Sequence, residues 1–79
     1  MDVHRRRVTV APGSSRPIVE SEWQGALILV EEGSIDLVCQ AGGRRTFSEG
    51  DLLWFTGLRL RELQNPREEP AAFVAIFRG

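Results

Sequence analysis

Turn signals recur along this chain at intervals of roughly eight to ten residues, and that spacing governs what it can fold into. Pro12-Gly13-Ser14-Ser15, Glu32-Gly33-Ser34, Ala41-Gly42-Gly43, Glu49-Gly50-Asp51, Thr56-Gly57 and Asn65-Pro66 through Pro70 interrupt it. A helix of ordinary length does not fit between such breaks. The intervening segments are short and rich in Val, Ile, Leu, Phe and Trp, the pattern of an all-β sandwich or barrel.

Each segment adds detail. Arg7–Val10 alternates and suits a first strand, and Pro17–Glu20 reads as a short strand with Pro at its start, where the missing N–H matters least. Ala26–Val30 is apolar at every position, which predicts a central strand covered on both faces. In Ser34–Gln40, Ile35, Leu37 and Cys39 share one face and Asp36, Val38 and Gln40 the other. Ala41-Gly42-Gly43 suits a tight hairpin returning through Arg44–Phe47. Asp51–Phe55 is a further apolar run, and Ala71–Phe77 a strongly hydrophobic last strand. Leu58–Asn65 alternates, with Leu58, Leu60, Glu62 and Gln64 opposite Arg59, Arg61, Leu63 and Asn65; its good helix formers leave a helical turn as the rival reading.

Size and charge remove other classes. At 79 residues the chain has room for one domain, with a small core and marginal stability unless it associates. Ten arginines against eleven carboxylates leave a net charge of −1, which argues against a dedicated nucleic-acid binder. The Arg5-Arg6-Arg7 and Arg44-Arg45 clusters could touch phosphate, but nucleic-acid surfaces combine more charges with interleaved aromatics, and these arginines have Glu partners in plenty. One Cys cannot staple a fold, and one His with one Cys cannot build a zinc finger. The longest apolar run, Ala71–Phe77, is far below the ~20 residues of a membrane span, and nothing after Met1-Asp2 resembles a signal-peptide apolar region. A soluble, cytoplasmic domain is the expectation, without nucleic acid or membrane as partner.

The succession Leu29-Val30-Glu31-Glu32-Gly33-Ser34-Ile35-Asp36-Leu37, then Gly42-Gly43, then Phe47-Ser48-Glu49-Gly50-Asp51-Leu52-Leu53-Trp54-Phe55, resembles the middle of a cupin. The resemblance covers residues 18–78 or so, and implies a small antiparallel β-barrel of the jelly-roll type; SH3-like and OB-like barrels are the structural alternatives. The whole of 1–79 then forms one cupin-like domain, with a core over about 18–78 and an N-terminal arm and first strand over 1–17. Gly33 and Gly50 would serve chain reversals, and Asp51 would accept a backbone hydrogen bond in its turn.

Cupins bind metal through His and Glu residues of two motifs. With Gly33 as the last glycine of the first motif, the Glu position falls at Ala26 and the His positions at Glu20 and Glu22, or at Val19 and Ser21. In the second motif Gly50 and Asn65 match, which puts the His position at Arg61. A guanidinium has donors but no lone pair to give, so the resemblance here implies a fold without its metal and without a cofactor.

The candidate site is therefore Arg61 with Glu20 and Glu22, either as an ion pair inside the barrel or as a contact for an anionic small molecule; the plain reading leaves all three in water. Trp23, in a polar stretch before Gly25, is a candidate for the pocket rim, whereas Trp54, inside an apolar strand, is assigned to the core. Cys39, in phase with Ile35 and Leu37, reads as a small buried residue rather than a nucleophile. Asp36, Glu31 and Glu32 read as solvated carboxylates beside a turn. Short strands leave sheet edges exposed, and Val3–Val10 and Ala71–Phe77 are natural donors to a partner, so a homodimer is expected. The function expected is a metal-free small-molecule-binding or interaction and regulatory module. The competing class is a metal-independent isomerase or epimerase using barrel carboxylates.

Overall fold

A computed structural model describes residues 3–23, 25–55 and 59–78, apart from the side chains of Glu20 and Arg78. It contains eight strands and one helical turn: β1 (Val3–Val10), β2 (Ser14–Pro17), α1 (Glu20–Trp23), β3 (Leu27–Glu32), β4 (Ser34–Cys39), β5 (Arg44–Ser48), β6 (Leu52–Trp54), β7 (Leu60–Asn65) and β8 (Ala71–Arg78). They form two four-stranded antiparallel sheets, β1-β8-β3-β6 (sheet 1) and β2-β7-β4-β5 (sheet 2), which face each other across the core. This is the expected all-β jelly roll, and not an SH3-like or OB-like barrel. Among the described residues no ladder joins sheet 1 to sheet 2, so hydrogen bonds do not close the barrel.

Alternation sets the core. Val8 and Val10 of β1, Ile28 and Val30 of β3, and Phe73 and Ala75 of β8 point inward from sheet 1, against Ile35, Leu37, Leu60 and Leu63 of sheet 2. Two ladders break this alternation. Val38 pairs with Glu62 and Cys39 with Leu60, so Arg61 is an extra residue in β7. Such a bulge advances the side-chain phase by one. It lets Leu60 and Leu63, an odd number of positions apart, both face the core, which strict alternation forbids. In β3, Val30 pairs with Phe73 and Glu32 with Ala72, leaving Glu31 as the extra residue.

The segment Pro17–Glu20 is not a strand. The edge strand lies earlier, at Ser14–Pro17, where Pro17 is tolerated because β2 has a neighbour on one side only. The chain then turns through α1, with Val19 O accepting the Glu22 N–H (2.9 Å) and Trp23 O accepting that of Ala26 (3.0 Å). Residues 3–17 are no loose arm: β1 pairs with β8 along its whole length, and β2 with β7. The strand reading of Leu58–Asn65 holds from Leu60, while Leu58 lies outside the described residues.

Gly33 ends β3 with φ +66, and a Cβ there would stand 2.6 Å from Pro70 O, so both backbone and space require glycine. The Gly50 turn is fixed as expected: the Ser48 N–H donates to Asp51 Oδ2 at 2.8 Å. Asn65, matched to the cupin asparagine, is wholly buried. Its Nδ2 donates to Val10 O (3.1 Å) and Glu69 O (2.7 Å), and its Oδ1 accepts the Arg67 N–H (3.2 Å). One amide thus joins the end of β1 to the β7–β8 loop.

Candidate functional site

The charged cluster that touches both sheets and the core lies around α1. Arg6 sits on β1 in the same phase as Val8 and Val10, and is carried toward the interface between the sheets. Arg16 comes from β2, at the edge of sheet 2. Between them α1 presents Glu22, whose Oε1 accepts from Arg6 Nη1 at 2.6 Å and from Arg16 Nη2 at 3.4 Å. Both guanidiniums also stand over Trp23, their central carbons 5.0 and 5.6 Å from its ring centroid.

Trp23 itself is 2% exposed and packs on Phe55, Phe73 and Phe77 at centroid distances of 6.0, 5.8 and 6.2 Å. The short helix explains this, because one turn swings the indole from the chain surface into the gap between the sheets. Each ion pair is part-exposed and worth about 0–1 kcal/mol, and each cation–π contact about 0.5–1 kcal/mol. The cluster is held mainly by the buried indole beneath it. Chemically it offers planar, bidentate donors beside a flat aromatic surface, the equipment for a carboxylate or phosphate.

The sequence candidates separate. Glu22 and Trp23 belong to this cluster, but Trp23 is its floor and not a rim residue. Arg61 does not meet Glu22. As the bulged residue of β7 it is exposed, and among the described side chains its carboxylate partner is Glu62 at 3.8 Å. The expected pairing of Arg61 with Glu22 is not formed, because the bulged Arg61 is exposed and Glu22 is held by Arg6 and Arg16. The side chain of Glu20 lies outside the described residues. Arg16 was not singled out, and Arg6 was named only within the Arg5-Arg6-Arg7 cluster, although its phase with Val8 and Val10 is visible in the sequence. Trp54, assigned to the core, is 59% exposed: β6 has Leu53 facing inward and both its neighbours outward. Cys39 is half-buried against the core.

Asp36 is a further correction. It is not solvated but 4% exposed, on the outer face of sheet 2. Its Oδ1 accepts from Thr46 Oγ1 (2.8 Å) and Arg67 Nη2 (2.9 Å), and its Oδ2 from Arg44 Nη1 (3.1 Å). Burial pushes its carboxyl up, but the hydrogen bonds from Arg67, Thr46 and Arg44, with the charge of Arg67, outweigh that and hold it below its ordinary 3.8.

The metal positions implied by the resemblance do not fit a metal. Ala26 is wholly buried and carries a methyl group, Arg61 is a solvated cation, and Glu22 is engaged by two guanidiniums. Among the described residues no three His, Cys, Asp or Glu side chains gather to hold an ion. His4 lies on β1 in register with Phe77, exposed. Among the described residues no helix is long and apolar enough to cross a membrane.

No protein-family model matches the chain, and no curated protein matches it by sequence. Solved structures do. A cupin 2 conserved barrel domain protein from Salinispora arenicola is 26% identical, with a TM-score of 0.74, over 98% of this chain and 64% of its own. The cupin domain of an XRE family transcriptional regulator from Enterobacter cloacae is 18% identical, with a TM-score of 0.77, over 98% of this chain and 82% of its own. A sugar phosphate isomerase of the cupin superfamily from Silicibacter pomeroyi is 22% identical, with a TM-score of 0.75, over all of this chain but 52% of its own. This chain thus spans less than two thirds of the Salinispora and Silicibacter proteins. Two facing four-stranded sheets, the Gly33 and Gly50 turns, and near-complete superposition on these domains lead to one assignment: the chain belongs to the cupin superfamily.

Proposed function

We propose that this chain is a metal-free cupin module that binds a small anionic molecule beside α1 and acts as a homodimer, not as an enzyme. The observation that carries the reading is the convergence of Arg6 and Arg16 on one oxygen of Glu22, above the buried face of Trp23. Among the described side chains, two cations there meet one carboxylate, and all three charged groups remain reachable by solvent. A carboxylate or phosphate that displaced Glu22 would find both guanidiniums already oriented.

The fold does not choose between activities, since the structures similar to it include both a regulator's domain and an isomerase. The side chains favour binding. Acid–base catalysis by barrel carboxylates needs two of them in one pocket with pKa values driven apart. Here Glu22 is ion-paired with Arg6 and Arg16, and Asp36 is held ionised on the outside of sheet 2.

Calorimetric titration with inorganic phosphate, citrate and a hexose phosphate tests the reading. Saturable binding of at least one is expected, weakened about tenfold or more by Arg16→Gln or Arg6→Gln and not by Arg61→Gln. Absence of saturable binding, or equal binding by all variants, would overturn it. Stoichiometric zinc, iron, manganese or nickel in the purified protein would overturn the metal-free part.

A further inference from the structure

The outer face of sheet 1 is apolar where a solvated sheet face is polar. An antiparallel sheet with one face in water alternates apolar and polar residues. β3 and β8 do not: their outward positions carry Leu27, Leu29, Val74 and Ile76. The ladders place these in two rows that cross all four strands, Arg5–Ile76–Leu27–Trp54 and Arg7–Val74–Leu29–Leu52. At the β6 end of the rows Trp54 is 59% and Leu52 61% exposed. The corresponding face of sheet 2 is different in kind. There Ser34, Asp36, Arg44, Thr46 and Ser48 bond among themselves and Arg67 folds over them. Sheet 1 is thus composed as a sheet covered on both sides, while among the described residues only its inner face is covered.

We infer that the cover is a second copy of this chain, packed face to face on sheet 1 about a two-fold axis parallel to the strands. The inference rests on the homodimer reading above and supplies its surface. The order of groups along each row selects the occupant and the axis. Cations lie at the β1 edge and large exposed apolar groups at the β6 edge. A two-fold parallel to the strands lays the β1 edge of one copy over the β6 edge of the other. Arg5 then meets the partner's Trp54, and Arg7 the partner's Leu52, each contact occurring twice. The other in-plane axis, across the strands, would stack β1 on β1 and set Arg5 and Arg7 against their own copies. Aligned sheets about 10 Å apart are an ordinary packing of two such faces. Glu31 accepts from Arg7 at 3.2 Å within one chain, so the second row enters the interface already partly neutralised.

Sedimentation velocity on the wild type and on Leu52→Asp, Trp54→Asp, Arg5→Ala and the loop control Glu68→Ala tests this. The wild type and the control are expected to be dimers at about 50 μM, and each Asp variant to weaken association by about tenfold or more, Arg5→Ala less. Leu52 and Trp54 are solvent-exposed in the single chain, and far-UV circular dichroism confirms that each variant keeps its strands. A second readout needs no variant. Iodide quenching of the wild type should fall as concentration rises through the dimer transition, because Trp54 is the accessible indole and Trp23 is buried. A monomeric wild type would overturn both this inference and the dimer part of the proposed function. A dimer undisturbed by Leu52→Asp and Trp54→Asp, with quenching independent of concentration, would overturn the surface alone and leave the dimer standing.

Discussion

Arg67 Nη2 lies 2.9 Å from Asp36 Oδ1, so the loop between β7 and β8 is clamped across the outer face of sheet 2 onto the middle of β4. Asp36 is nearly excluded from solvent while Arg67 is more than a third exposed, and the pair is therefore worth less than its distance implies. Its consequence is a pH dependence with a definite sign. A carboxyl held below its unfolded value gives stability that is present above that value, here near 3.8, and is lost as pH falls through the folded value. Unfolding free energies from urea denaturation of wild type and Asp36→Asn should differ by about 1–2 kcal/mol near neutrality, and the difference should shrink below about pH 4. A gap that widens in acid would contradict this account.

Asn65, like Asp36, is a buried polar side chain with three hydrogen bonds. Asn65→Leu keeps much of the volume but strands Val10 O, Glu69 O and the Arg67 N–H. Loss of several buried hydrogen bonds should cost about 2–4 kcal/mol, read from urea denaturation. Val10 and Glu69 should also exchange their neighbouring amides faster, because the amide ties their segments together.

Two glycines with positive φ should respond unequally to alanine. At Gly50 nothing stands within 4 Å of the added methyl, and the cost is the left-handed backbone alone, about 1 kcal/mol. At Gly33 the methyl also meets Pro70 O at 2.6 Å, a backbone atom that cannot swing away. Gly33→Ala should lower the unfolding free energy about twice as much as Gly50→Ala, and equal effects would remove the steric argument.

The two tryptophans should differ as their surroundings do. Trp23→Ala opens a hole among Phe55, Phe73 and Phe77 and should cost about 3–5 kcal/mol. Trp54→Ala, measured at a dilution where the chain is monomeric, should change stability by no more than about 0.5 kcal/mol.

The strands and their turns were legible because glycine, proline and apolar runs report directly on chain reversal and burial. The side-chain faces were legible only where alternation is unbroken. A bulge shows no local signature in composition, so the reading of β7 holds for Leu63 and Asn65 but is inverted before the bulge, where Leu60 faces the core and Arg61 lies in solvent. The tryptophans exchanged places for a related reason. Trp54 sits in an apolar run, but β6 is apolar on both faces, and burial inside the chain is available to Leu53 alone. Trp23 sits among polar residues, yet α1 is a single turn too short to register as a helix, and it is this turn that drives the indole inward. Asp36 was misread because its partners Arg44, Thr46 and Arg67 are brought to it by strand pairing and a distant loop, which no local window contains.

The pairing of β1 with β8 spans nearly the whole sequence, and it sets an order of events. While the chain is being synthesised from its N-terminus, Val3–Val10 has no neighbour in sheet 1 until Ala71–Arg78 emerges. Val8 and Val10 wait uncovered meanwhile, and the Asn65 clamp on Val10 cannot close. Completion of sheet 1 is therefore a late, high-contact-order step, slow beside the local β4–β5 hairpin. Any fragment ending before β8 would be a ready substrate for chaperones and proteases.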